Sequence, residues 1–357
     1  MPSFAYLAIL APLVLALTTL VGFLIYASIH YAPIIGRIFE EKPLFFPLRL
    51  APQNDGEEVR FRTSDDLELG GTYLPARTGA RVGVLVFCHE YLSDRWSYQA
   101  YADRLRDQGF DLFTFDFRNH GRSASDPTYH PLQWVTDHEV NDLRAALAYL
   151  RSRPDHDPAG FGLFGISRGG GTALVVAADE PDVWGVITDG AFPTRGTMLA
   201  YILRWAEIYV RRETLRKLLP LWLLNYLGWI TRVRSEKRLH CRFPDVEQAV
   251  ARIAPRPWLL IHGEKDAYIG PEIARRLFEE ANDPKEIWIV PRAKHNRCRE
   301  VEPEVYADRV AGFFARSAPR RPLAEPQSVT SDQSWEVEAA ELPTTPLAAE
   351  LAASVTS

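Results

Sequence analysis

Residues Gly160–Gly171 read GFGLFGISRGGG, and they decide the fold. Gly160–Ile166 is a strand that runs straight into a small-residue helix at Arg168–Ala178. Between them, Gly165-Ile166-Ser167-Arg168-Gly169 is a G-x-S-x-G pattern. It turns the chain so tightly that the serine side chain stands exposed above the sheet, and the flanking glycines remove Cβ atoms that would clash. Gly170 and Gly171 extend this by letting the helix pack close to its strand.

Outward from that turn, strands and helices alternate. Upstream, Glu58–Thr63 and Leu67–Leu74 read as an antiparallel pair at a sheet edge. Arg81–Cys88 (RVGVLVFC) is a near-continuous apolar run, the pattern of a strand buried on both faces. Trp96–Gln108 reads as a helix, Phe110–Phe115 as a strand and Thr136–Arg153 as a helix. Downstream, Val183–Thr188, Trp258–His262 and Ile287–Val290 complete the strands, with helices near Pro271–Ala281 and Pro303–Arg316. The alternation predicts an α/β fold: a mostly parallel, eight-stranded sheet covered on both faces.

A serine hydroxyl is a poor nucleophile at neutral pH and needs a base that is itself oriented by a carboxylate. Two strand ends offer them. Asp266 follows Trp258–His262 in HGEKDAYI, and His295 follows the last strand in VPRAKHNRC. A second candidate acid, Asp189, directly follows its own strand in ITDGAF. Acyl transfer also needs donors for an oxyanion: the backbone N–H of Arg168, next to the serine, and one from the loop after the third strand, for which Tyr91 is the candidate.

Over roughly residues 57–316 the chain resembles the α/β-hydrolase superfamily, and in particular its membrane-anchored and monoacylglycerol-lipase-like serine hydrolases. Three segments carry the resemblance: the turn around Ser167; Asp116-Phe117-Arg118-Asn119-His120-Gly121-Arg122-Ser123, similar to the family's D-x-R-x-H-G-x-S segment; and His262-Gly263-Glu264-Lys265-Asp266, similar to its H-G-x-x-D acid loop. The resemblance implies a serine hydrolase cleaving carboxylic esters, with lipid or acyl esters in view, through Ser167, His295 and Asp266. Amide or peptide cleavage by the same three residues, or a non-catalytic binding protein on the same fold, are its rivals. It implies orienting roles for His89 and His120. The chain departs from the pattern at His89-Glu90, where the family usually has His-Gly, placing a carboxylate beside the expected oxyanion site.

Met1–Gly36 carries no Lys, Arg, Asp or Glu, and Phe4–Ser28 is almost wholly apolar. At about 1.5 Å per helical residue such a stretch reaches roughly 37 Å, enough to cross a hydrocarbon core of about 30 Å. It lacks the positive n-region and short apolar core of a secretory signal. It is expected to be a single-pass anchor (1–36), and Arg37, Lys42 and Arg49 behind it place the remainder in the cytoplasm. Residues 37–56 form a Pro-rich connector, and 57–317 the main domain. Residues 193–250 read as helix where the next strand should come, the place where the resemblance implies a lid or cap. Between Arg195 and Arg242 lie eleven basic residues and three acids, around the uncharged stretch LLPLWLLNYLGWIT (218–231). Flanked by cations and too short to span, that stretch suits a membrane interface or an acyl pocket.

The tail 318–357, rich in Pro, Ser, Thr, Ala and Glu, is expected to be disordered. Residues 322–357 hold six acids and no Lys or Arg, so the chain's formal charge of −5 leaves +1 for the rest. That balance argues against a nucleic-acid binder. With 357 residues, 46% of them hydrophobic, the chain can bury a large core. Three scattered cysteines (Cys88, Cys241, Cys298) argue against a disulfide framework. No P-loop, dinucleotide fingerprint or H-E-x-x-H is present, so no cofactor or metal is expected.

Overall fold

Among the residues described by the computed structural model (2–40, 46–79, 81–209, 212–213 and 219–319), eight strands form one sheet in the order β1-β2-β4-β3-β5-β6-β7-β8. They are β1 Glu57–Arg62, β2 Glu68–Leu74, β3 Gly83–Cys88, β4 Phe110–Phe115, β5 Phe161–Ile166, β6 Val183–Asp189, β7 Trp258–Gly263 and β8 Lys285–Val290. β1 pairs antiparallel with β2, and β2 with β4; every other pairing is parallel. The mostly parallel sheet anticipated from the alternation is the one that forms. β3, β4 and β5 are buried at every position because helices cover both faces.

Helices α4 (Asp137–Ser152), α5 (Arg168–Asp179), α8 (Val246–Val250) and α9 (Pro271–Glu280) close one face. The short α3 (Tyr98–Tyr101) and α11 (Pro303–Ser317) close the other, and α10 (Cys298–Val301) precedes α11. α4 begins on a capping box: Thr136 and Glu139 satisfy each other's backbone donors at the helix start.

The continuous helix expected over Trp96–Gln108 is instead a 3₁₀ turn at Arg95–Ser97, then α3, then a second 3₁₀ piece at Asp103–Gln108. Tertiary bonds pin the start of this stretch. The backbone N–H of Arg95 goes to Asp116 Oδ1 (2.7 Å), and its carbonyl accepts the Thr114 hydroxyl (2.9 Å). The same carbonyl also accepts the Tyr98 N–H, closing the 3₁₀ turn, and the chain leaves the helical range at Ala102, whose φ is −124°.

The insert after β6 forms α6 (Thr194–Tyr209) and α7 (Leu221–Leu239) before α8. Pro220 stands at the start of α7, and His240, in the left-handed region at φ 51°, ends it. At the amino terminus, α1 (Pro2–His30) and α2 (Ala32–Glu40) follow one another, and Leu10–Arg37 has mean hydropathy 2.2, long and apolar enough to cross a membrane. Ala27 and Ile35 are buried against Leu223, Leu224 and Leu227 of α7. Ser28 Oγ lies 2.7 Å from Tyr226 Oη, and Arg234 donates to the Ser28 carbonyl at 2.5 Å. Residues 41–45 of the connector, and the expected tail from residue 320 onward, lie outside the described residues.

Candidate active site

The β5–α5 turn is made by close backbone approach. A Cβ on Gly165 would sit 2.4 Å from the Gly169 carbonyl oxygen, and one on Gly169 would sit 2.3 Å from that of Cys88 at the end of β3. Neither neighbour can yield, because both are backbone. Ser167 between them is held at φ 52°, ψ −116°, a conformation a non-glycine residue adopts only when its surroundings impose it. Here they do: its N–H donates to the Asp189 carbonyl (2.7 Å), and its carbonyl accepts from Gly171 (3.1 Å).

The strained turn lifts the serine oxygen toward the loop after β8. Ser167 Oγ lies 2.9 Å from His295 Nε2, and His295 Nδ1 lies 2.6 Å from Asp266 Oδ2. The Asp266 carboxylate is fixed in turn by the backbone N–H groups of Tyr268 and Ile269, both 2.9 Å from Oδ1. Burial alone would raise its pKa, but the His295 hydrogen bond and the charges of His295 and His262 outweigh burial and hold it below the ordinary carboxylate value. Three side chains from three strand ends thus form one hydrogen-bonded chain. The second candidate acid, Asp189, is oriented elsewhere: its Oδ2 accepts the Tyr306 hydroxyl at 3.0 Å, and burial pushes its carboxyl up to about 6.

Arg168 opens α5, so its backbone N–H is one of the donors that a helix start leaves without an intrahelical partner. Its fully buried guanidinium reaches the Leu132 carbonyl (3.0 Å), Glu139 (3.2 Å) and His120 Nε2 (3.3 Å), and lies 5.3 Å from the Tyr91 ring centre. One side chain therefore braces both residues expected to supply oxyanion donors. Sequence reading missed this, because the variable position of the G-x-S-x-G pattern gives no sign of where its side chain runs.

The two histidines read as loop-orienting are bonded accordingly. His89 Nε2 accepts from Phe117 N (3.1 Å), and its Nδ1 lies 2.8 Å from the Glu90 carbonyl. Such a ring is neutral, and burial, followed by the neighbouring His120 charge, holds its pKa well below the usual value. His120 Nδ1 lies 2.8 Å from the Arg118 carbonyl, with its pKa lowered by burial to about 3.

Glu90 turns away from the serine. It is almost fully buried, its Oε2 accepts from Ser97 Oγ (3.2 Å), and it lines a different cavity. Burial pushes its carboxyl up to about 7, only partly offset by hydrogen bonds from its own backbone and Ser97 and by the Arg299 charge. The folded chain therefore holds a proton that an unfolded one has lost above pH ~4.5, so this group's stabilising contribution is complete below that pH and is lost as pH rises through 7. Glu90→Gln is expected to remove on the order of 3 kcal/mol of pH dependence. Melting temperatures at pH 5 and pH 8 check this: the natural chain should lose more between them than the variant, and equal losses would refute it.

Ser167 and His295 open onto a pocket of about 40 Å³ lined by Tyr91, Trp134, Phe192, Thr197, Tyr201 and Tyr268. No Asp or Glu lines it among the described residues. The Thr197 hydroxyl, in the pocket wall, is buried without a hydrogen-bond partner. Nothing in the sequence marks Thr197, Tyr201 or Tyr268 as lining residues; the folded cap brings the first two there, and the loop after β7 brings Tyr268.

Residues 79–252 match the model of the family described as serine aminopeptidase, S33. YfhR of Escherichia coli (strain K12) is 24% identical over 264 residues, covering 72% of this chain and 80% of YfhR. YqkD of Bacillus subtilis is 25% identical over 301 residues, covering 78% and 92%. Among solved structures, the Pyrococcus furiosus esterase Pf2001 superposes with a TM-score of 0.56 at 21% identity, covering 78% of this chain and 99% of that one.

Proposed function

We propose that this chain, a member of the α/β-hydrolase superfamily, is a membrane-anchored serine esterase. Ser167 Oγ attacks the ester carbonyl while His295 takes its proton, and Asp266 holds the imidazole tautomer and stabilises its charge. The oxyanion is met by the N–H groups of Arg168 and Tyr91. The C–O bond to the alcohol breaks, and His295 returns the proton to the departing oxygen. Water then attacks the acyl-enzyme by the same route, freeing the acid and Ser167.

The observation that carries this reading is the Ser167–His295–Asp266 hydrogen-bond chain, at 2.9 Å and 2.6 Å. An ester is preferred over a free peptide amino terminus because an aminopeptidase needs an anion for the substrate ammonium, and the described pocket lining contains no carboxylate. A fluorophosphonate probe tests the reading. It should label the natural chain and leave Ser167→Ala unlabelled; a natural chain that resists the probe, or a labelled variant, overturns it.

The anchor reading rests on α1 and on its docking. A cleaved leader would not be held by the mature domain, yet Ala27 and Ser28 are packed and bonded to α7. Arg37, Lys42 and Arg49 behind the span favour a cytoplasmic domain. On α7, Leu221, Trp222 and Trp229 are exposed amid basic residues, a composition that suits contact with the bilayer interface.

A further inference from the structure

We propose that residues 46–53, behind the anchor, form a strap that positions the oxyanion donor on Tyr91, a proposal that rests on the esterase reading above and adds a working part to its site. Tyr91 borders the Ser167 pocket, and among the described residues its N–H makes no hydrogen bond, so it is free to meet an oxyanion. The loop that carries it, Glu90–Asp94 between β3 and the 3₁₀ turn at Arg95, holds itself poorly. Among the described residues its backbone makes one internal hydrogen bond, from Ser93 N–H to the Glu90 carbonyl at 3.2 Å. Directly after the donor, Leu92 stands at φ 62°, in the left-handed region, which is costly for a leucine and persists only where neighbours impose it.

The strap imposes it. Ser93 is buried, and its hydroxyl donates to the Leu48 carbonyl at 2.5 Å. The exposed Arg49 side chain adds a longer bond to the Leu92 carbonyl at 3.3 Å. Residues 46–53 have no regular secondary structure, so they can hold the loop only if they are themselves fastened. They are. Leu48 and Leu50 pack against the core on the face that α3 closes. From α3, Gln99 accepts from Gln53 Nε2 (2.7 Å) and donates to the Ala51 carbonyl (2.8 Å), while Tyr98 Oη donates to Gln53 Oε1 (3.1 Å). The Tyr91 side chain is held separately, by the Pro131 carbonyl at 3.3 Å and the Arg168 guanidinium. The strap therefore acts on the backbone that aims the donor, not on the ring beside it. A passive spacer between anchor and domain would need none of these bonds.

Hydrolysis of p-nitrophenyl acetate by the full-length chain in detergent tests the strap. Losing an oxyanion donor outright costs roughly 10²–10³ in kcat, and slackening its loop should cost part of that. Ser93→Ala is expected to lower kcat by about tenfold while KM stays within about twofold. Inhibition by phenylboronic acid, whose adduct with Ser167 places an oxygen where the oxyanion forms, should weaken by a similar factor. The pH profile of kcat/KM should keep its shape, because neither His295 nor Asp266 is touched. Leu48→Gly, which loosens the strap without altering the loop, should show the same pattern. The double variant should fall below the weaker single by no more than about twofold, since both substitutions cut one connection. A Ser93→Ala kcat within about twofold of the natural chain, a loss carried by KM, or losses that multiply in the double variant overturns the strap. A natural chain that neither cleaves the ester nor takes the fluorophosphonate overturns the esterase reading, and the strap with it, before any variant is measured.

Discussion

Ser167→Ala is expected to lower kcat on p-nitrophenyl acetate by roughly a million-fold, to the residual rate that oxyanion stabilisation and binding alone sustain. The substitution is clean for a structural reason. Both hydrogen bonds that hold the turn, Ser167 N–H to Asp189 and Gly171 N–H to Ser167, are backbone bonds, and alanine keeps the Cβ. The fold should therefore survive, and unchanged far-ultraviolet circular dichroism establishes that it does. Asp266→Asn is expected to cost about ten-thousand-fold, because an amide in place of the carboxylate that faces Nδ1 at 2.6 Å stabilises the wrong imidazole tautomer. If Asp189 were the working acid, Asp266→Asn would be mild and Asp189→Asn severe. Steady-state kinetics on the two variants decides between them.

The second large effect concerns stability. Arg118 and Asp142 are both fully buried and joined at 2.7 Å, with a further bond from Arg118 N to Asp142 at 2.8 Å. Asp65 (2.9 Å), His138 Nδ1 (2.9 Å) and Asp126 (3.5 Å) are the guanidinium's other partners. Removing one member of such a pair strands a charge away from water, which costs about 3–5 kcal/mol, whereas replacing both by apolar groups of similar size is close to neutral. Arg118→Met should therefore lose about 3–5 kcal/mol in urea unfolding, a large part of the ~5–15 kcal/mol that holds a typical domain together. Arg118→Met combined with Asp142→Leu should recover most of it. A single variant as stable as the natural chain would show that the pair is not carrying charge out of solvent.

The same pair explains what the D-x-R-x-H-G-x-S segment is for. Asp116 accepts from Arg95 N (2.7 Å), Arg95 Nη1 (2.9 Å) and Arg122 N (2.8 Å), and Ser123 Oγ returns to the Asp116 carbonyl. Gly121, at φ 48°, leaves room for that carboxylate, since a Cβ there would sit 2.2 Å from it. The segment is a knot of buried polar groups tying the loop after β4 to α4.

Strand and helix positions were readable because local pattern and global burial agree: β3 and β5 are apolar end to end and buried end to end. Ser167, His295 and Asp266 were readable for a related reason, since each follows a strand whose end the pattern locates. What the sequence hides depends on side-chain direction or long-range partners. The bonds from Arg95 to Asp116 and Thr114, which pin the start of residues 95–108, are long-range, and no local propensity encodes them. The orientation of Glu90 is set by Ser97 and by the cavity wall. Tyr201 and Thr197 line the pocket only because the cap carries them in. Motifs report where backbone goes; they are silent about which wall a tyrosine will form.

The seam between the first helices and α7 has a practical corollary. A shortened version beginning after residue 40 would uncover Leu223, Leu224 and Leu227 and deprive Tyr226 and Arg234 of the groups they hold on Ser28. Such a fragment is no soluble equivalent of the whole. It carries a sticky scar, and its self-association would be a trait of the truncation rather than of the natural molecule.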